Sequence, residues 1–99
     1  MAKRVVWSAK AKASFKSTIQ YLQKEWTANE VEAFIESTEE KVQLILSGKV
    51  KFRQSQKKNL REVLITKHNL LIYRETKTRL EIVYIYNTRQ HPMKRKRDD

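Results

Sequence analysis

The sequence predicts an α+β fold with an N-terminal strand, a two-helix antiparallel hairpin and a three-stranded antiparallel meander, with both helices on one face of the sheet. Three observations support this prediction. Two long stretches in the first half have apolar residues at helical spacing, three strand-like runs follow in the second half, and the only glycine, Gly48, separates the halves. Helices with one apolar stripe each need a shared apolar surface, and the sheet provides it.

The first two elements are a short strand and an amphipathic helix. "KRVVWS" reads as a strand with Val5 and Trp7 on one face, and Ser8 is suited to cap the helix that follows. From Ala9 to Glu25 the apolar residues recur at helical spacing: Ala11, Phe15, Ile19, Leu22 and Trp26. We therefore expect a surface helix whose buried stripe includes Trp26.

The second helix starts within "TANE", where Thr27 and Glu30 have the spacing of a capping box. Gly48 lies where a left-handed C-cap is needed. Because only a few residues join the helices, they are predicted to pack antiparallel. The hairpin residues predicted to be buried are Phe15, Ile19, Leu22, Phe34, Ile35 and Ile45.

Residues 49–59, "KVKFRQSQKKN", have no sustained period and are predicted to form a basic loop. The runs "LREVLIT", "NLLIYRE" and "RLEIVYIYN" then predict antiparallel strands, because the turns between them are short. In the last run Leu80, Ile82, Tyr84 and Tyr86 alternate with Glu81, Val83 and Ile85, so both faces are largely apolar and this strand is predicted to be central. Residues 1–92 are predicted to be one domain, and residues 93–99 a mobile basic tail.

Charge is the most informative feature of the composition. The formal net charge is +11, and residues 49–99 hold 15 basic against 5 acidic side chains, whereas residues 1–48 hold 7 against 6. A polyanionic partner is therefore expected, with the positive field in the C-terminal half. The chain has no cysteine, which excludes disulfides and cysteine-ligated metal, and we expect no metal or cofactor. Without a membrane-spanning apolar run or a signal-peptide core, a cytoplasmic protein with no membrane partner is expected.

The order of these elements, with "VVWSAKAKASFKSTIQYL", "LREVLITKHNLLIYRE", "EIVYIYN" and the final "TRQHP", resembles the RelE/ParE superfamily of bacterial toxins. These toxins are the small basic halves of type II toxin–antitoxin pairs. The resemblance implies a cognate antitoxin whose acidic C-terminal segment wraps the toxin and folds on binding. Its implied target is either messenger RNA on the ribosome or DNA gyrase.

The resemblance also implies site residues, because cleavage of RNA by its 2′-hydroxyl needs a base, cations and an acid. Arg61 aligns with a family lysine, Arg89 with the arginine after the last strand, and His91 with a family acid. Two further cation positions fall on Val63 and Leu70 in this chain. The implied catalytic set is therefore incomplete, and enzymatic activity stays open.

Three functions follow from this sequence. The first is a ribosome-dependent endoribonuclease acting through Arg89, His91 and Arg61. The second is a noncatalytic inhibitor of DNA gyrase, and the third is a small RNA-binding or ribosome-associated protein. Contacts to nucleic acid or antitoxin are predicted for the basic residues Lys49, Lys51, Arg53, Lys57, Lys58, Lys94 and Arg95. Arg89 is further predicted to form a cationic pocket with Arg61 and the lysines of the loop.

Overall fold

The computed structural model describes residues 3–49, 52–54 and 59–87. Its elements are β1 (Arg4–Trp7), α1 (Ala9–Glu25), α2 (Ala28–Ser47), β2 (Arg61–Thr66), β3 (Asn69–Glu75) and β4 (Arg79–Asn87). The predicted α+β fold is confirmed, with the helical hairpin between the first strand and the meander. The predicted tail at residues 93–99 lies outside the described residues.

The ends of the helices are set by the residues predicted to set them. The Ser8 hydroxyl accepts a hydrogen bond from the Ala11 amide at 2.9 Å, and the Thr27 hydroxyl accepts one from the Glu30 amide at 3.3 Å. These bonds satisfy amides that the first turn of a helix leaves without a partner. Gly48 ends α2 with a φ of 74°, a left-handed conformation that glycine adopts without a steric penalty.

The four strands form one mixed sheet in the order β1-β4-β3-β2. Strands β2, β3 and β4 are antiparallel, whereas β1 is parallel to β4. A parallel neighbour is possible here because α1, α2, β2 and β3 all lie between β1 and β4 in the chain, which is more than the dozen or so residues that a parallel connection requires. Strand β4 has a partner on each side, so its predicted central position is confirmed.

A β-bulge in β4 changes which residues share a face. Tyr73 pairs with Ile82 but Ile72 pairs with Tyr84, so Val83 is the extra residue. The predicted alternation was therefore wrong beyond Val83. The face that the helices cover, called the inner face below, receives Leu80, Ile82 and Ile85, and the opposite outer face receives Glu81, Tyr84 and Tyr86.

The core lies between the inner face and the helical hairpin. Of the hairpin residues predicted to be buried, Leu22, Phe34 and Ile45 are buried, and Phe15, Ile19 and Ile35 are partly buried and pack against the same cluster. Trp26 is a correction: its exposed fraction is 43%. Because α1 ends at Glu25 and Trp26 has extended backbone angles, this side chain leaves the helical stripe at the corner.

Candidate functional site on the sheet

Arg61 begins β2, and its side chain belongs to the inner face. It pairs in register with buried Tyr73, and its Nη1 donates a hydrogen bond of 2.7 Å to the backbone carbonyl of Phe52. Phe52 itself packs against the core, and Gln54 forms an isolated bridge with Arg61. Arg61 therefore fastens the described part of the predicted basic loop to the sheet.

Tyr73 is completely buried, and its hydroxyl lies next to the Phe52 backbone without a hydrogen bond of normal geometry. Burial is the main cause that raises the pKa of the phenol above its usual value of 10.0. The nearby Phe52 backbone and the Arg61 charge act in the opposite direction without restoring that pKa, and the Glu75 charge raises it further. Tyr73 is therefore held neutral as part of the core.

Arg53 and Lys49 are two of the predicted contact residues, and both come before β2 in the sequence. Arg53 donates from Nε to the Glu62 carboxylate at 2.6 Å, which forms a salt bridge across the exposed side of β2. Lys49 is exposed directly after the Gly48 cap, and its backbone amide donates to the Ser47 hydroxyl at 3.2 Å. Lys49 is thus accessible to a polyanion, whereas Arg53 already has an acidic partner.

At the two positions where the resemblance expects cations, the structure has apolar side chains on opposite faces. Val63 is buried on the inner face, and Leu70 pairs with exposed Leu64 on the outer face. On the described part of the outer face, Arg74 donates to Glu81 through Nε and Nη2 at 3.1 and 2.9 Å. Apart from Glu62, which pairs with Ile72 and is bound by Arg53, the described middle of this face is apolar, and Arg53 and Arg74 are each neutralised by a glutamate.

Sequence reasoning missed Arg4 and Arg79, which the parallel pairing of β1 and β4 brings side by side. Alternation along β4 places Arg79 on the outer face with Glu81, and its register partner Arg4 shares that face. Both side chains are exposed. No local pattern indicates this pair, because the two residues come from opposite ends of the chain.

The other predicted site residues lie outside the described residues: Arg89, His91, Lys51, Lys57, Lys58, Lys94 and Arg95. Their roles, and the cationic pocket predicted around Arg89, stay predictions. Strand β4 ends at Asn87, two positions before Arg89 in the sequence. Among residues 3–49, 52–54 and 59–87, no three acidic or histidine side chains gather in a way that could hold a metal ion.

Neither α1 nor α2 combines the length and apolar character needed to cross a bilayer.

Comparison with known proteins identifies the family. The sequence model for the ParE toxin of the type II toxin–antitoxin system parDE matches residues 5–92, which is most of the chain. This chain belongs to the ParE toxin family. Comparison with curated proteins gives no match.

Solved structures of toxins share the fold. A chain of the chromosomal ParDE system from P. aeruginosa is 13% identical with a TM-score of 0.71, and the match covers 87% of this chain and 96% of that one. A chain of the E. coli DinJ–YafQ toxin–antitoxin complex is 12% identical with a TM-score of 0.61, and the match covers 92% of this chain and 98% of that one. The YoeB dimer from Staphylococcus aureus is 13% identical with a TM-score of 0.64, and the match covers 87% of this chain and 97% of that one. The ParE family member described here thus has the fold of these toxins at very low identity.

Proposed function

We propose that this chain is the toxin of a type II toxin–antitoxin pair, that it arrests growth by binding DNA gyrase without performing chemistry, and that a cognate antitoxin neutralises it. The observation that carries the proposal is the absence of a cation at two of the positions where the resemblance expects one. Val63 and Leu70 stand where the resemblance expects cations, and Arg61 lies on the inner face with its guanidinium on the Phe52 carbonyl.

Cleavage of a phosphodiester needs positive charge placed where the pentacoordinate phosphate develops negative charge. An arginine that is turned toward the core and bonded to a carbonyl is poorly placed for that task. A noncatalytic toxin has no such requirement, since binding needs only a complementary surface. The described residues therefore favour gyrase inhibition over the alternative, ribosome-dependent cleavage of messenger RNA through Arg89, His91 and Arg61.

Two measurements separate these functions. Purified toxin should inhibit supercoiling by DNA gyrase, and primer extension on messages from arrested cells should show no new cleavage sites. The reverse result, cleaved messages with unaffected supercoiling, would replace gyrase inhibition by endoribonuclease activity.

Substitutions in the segment after β4 test the same choice. Arg89→Ala should abolish growth arrest under either target, because an arginine at this place would grip the target as a bidentate donor. His91→Ala should leave growth arrest intact, because a noncatalytic toxin needs no proton donor. Lys67→Ala, in the turn between β2 and β3, is the matched control for loss of a charge. Loss of arrest in His91→Ala with an unchanged circular dichroism spectrum would support the nuclease instead.

A further inference from the structure

Arg4 and Arg79 form an in-register pair of like charges. Neighbouring strands in a sheet lie about 4.8 Å apart, so the two side chains leave the backbone one strand spacing from each other. Like charges directly opposite each other destabilise a sheet. An arginine pair at this position therefore lowers stability unless an anion compensates for it.

The described arginines differ in what they bind. Arg53 and Arg74 are each held by a glutamate, and Arg61 is held by a backbone carbonyl. Within the described residues, neither the Arg4 nor the Arg79 side chain has a carboxylate or carbonyl partner, and both are exposed. Their guanidinium donors are thus available to an oxyanion from another molecule.

The surroundings of the pair select the kind of oxyanion. Arg74 and exposed Lys77 lie at the same end of the sheet, and Glu81 is the carboxylate next to them on the outer face. Because Glu81 neutralises only Arg74, the charges of Arg4, Arg79 and Lys77 leave this end positive. Further along the outer face the surface is mainly apolar, with Ile72 and Tyr84 paired across the strands and Leu64 exposed by 53%. Its charged groups are Glu62, which is bound to Arg53, and Lys10, whose Nζ lies 4.9 Å from the centre of the Tyr84 ring.

A nucleic acid strand carries phosphates along its whole length and binds best where cations follow its path. Aliphatic side chains such as Leu64 and Ile72 offer phosphates no compensation. A polypeptide segment with carboxylates at one end and apolar side chains beyond them matches both parts of this face. The combination of charge and apolar surface therefore favours an acidic amphipathic polypeptide over RNA.

We propose that Arg4 and Arg79 form a carboxylate-binding site that anchors an acidic amphipathic segment of the antitoxin on the outer face. Guanidinium groups bind carboxylates through paired N–H donors, and two adjacent arginines can hold one or two such groups. The identity of the partner rests on the proposed toxin function. The site itself rests only on the register and surroundings of the two arginines.

The site is tested with a synthetic peptide that has glutamates at one end and leucines beyond them, titrated into the ¹⁵N-labelled full chain. The Nε–Hε signals of Arg4 and Arg79 should shift, and Arg4→Gln/Arg79→Gln should weaken peptide binding by about tenfold or more, as expected for loss of a charge-assisted contact. The control Lys12→Gln/Lys24→Gln removes the same charge from α1 and should weaken binding by less than about threefold. Equal weakening in both variants would reduce the pair to part of the general positive field and overturn the site.

A second titration, with single-stranded oligouridylate of the same net charge as the peptide, tests whether RNA binds the arginine pair instead. If RNA, and not the peptide, shifts the arginine signals and loses affinity in the double variant, the proposal of a polypeptide ligand is wrong. Should the double variant fail to fold by circular dichroism, the signals of the wild-type chain still decide between peptide and RNA. Growth arrest by the wild-type toxin is scored separately, so failure of the toxin function is distinguishable from failure of the site.

Discussion

At the scale of single residues, Tyr73 shows how a polar atom is tolerated in this small core. Its ring fills space against the inner face, yet its hydroxyl has no hydrogen-bond partner in the described structure. A buried polar group without a partner costs about 1–3 kcal/mol. Phenylalanine has nearly the same shape without that group, so Tyr73→Phe should leave the free energy of unfolding at neutral pH unchanged or raise it by up to about 2 kcal/mol.

The same residue predicts how stability depends on alkaline pH. Because burial raises the pKa of Tyr73 above 10.0 in the folded state, the unfolded chain loses this proton first as the pH rises. Above about pH 10 the folded state therefore binds more protons than the unfolded state, and the free energy of unfolding falls until the pH reaches the folded pKa of Tyr73. Below about pH 10 the stability contributed by the neutral phenol is fully present. Urea unfolding at about pH 9 and about pH 11 should show a smaller loss of stability in Tyr73→Phe than in wild type.

Tyr84→Phe is the control for that experiment, since it removes a phenol from a half-buried position on the outer face. If Tyr73→Phe and wild type lose the same stability between the two pH values, the neutral phenol of Tyr73 does not contribute to the alkaline transition.

At the scale of elements, α1 takes over the role of a neighbouring strand for the second half of β4. Strand β1 pairs with β4 only from Arg79 to Ile82. Beyond that point the Ser8 hydroxyl donates to the Val83 carbonyl at 2.9 Å, and the Ser14 hydroxyl accepts from the Ile85 amide at 3.0 Å. The two serines therefore fasten the bulge to the helix.

Ser14→Ala tests this contact. The substitution leaves the partly buried Ile85 amide without its partner and should lower the free energy of unfolding by about 1–3 kcal/mol. Hydrogen exchange at the Ile85 amide should become faster. Ser17→Ala, at an exposed position of the same helix, should change stability by no more than about 0.5 kcal/mol. Equal effects of the two substitutions would show that the Ser14 contact adds nothing to the bulge.

Local signals predicted the elements well, because caps and turns depend on nearby residues. Ser8, Thr27 and Gly48 perform the capping roles that their types and positions indicate. Long-range register was not predictable in the same way. A single extra residue at Val83 moved Tyr84 to the other face, since side chains alternate with a period of two.

The candidate site was harder to predict for the same reason. The sequence aligns Arg61 with a family lysine, but the face of the sheet on which Arg61 lies depends on its pairing with Tyr73. The juxtaposition of Arg4 and Arg79 depends on a parallel pairing between the two ends of the chain. Sequence patterns describe neighbours along the chain, whereas a site is made by neighbours in space.

At the scale of the whole molecule, charge is segregated between the two helices of the hairpin. Helix α1 carries four lysines and one glutamate, whereas α2 carries five glutamates and one lysine. The three described salt bridges all involve glutamates of the sheet, so no described ion pair neutralises α2. A polyanion approaching this strongly basic protein therefore meets one repulsive side.

The negative charge of α2 predicts that neutralising it will speed the association of an acidic ligand. Glu36→Gln/Glu39→Gln/Glu40→Gln removes exposed charges spaced three and four residues apart on one helix, where like charges repel. We expect association with the glutamate–leucine peptide to accelerate by about twofold to tenfold at about 50 mM salt, because the long-range field becomes more positive.

At about 1 M salt the Debye length is about 3 Å, so this gain in association rate should disappear. Lys12→Gln/Lys16→Gln should change the rate in the opposite direction. Stopped-flow kinetics measures both, and a gain that persists at high salt would mean that α2 acts by direct contact and not through the field.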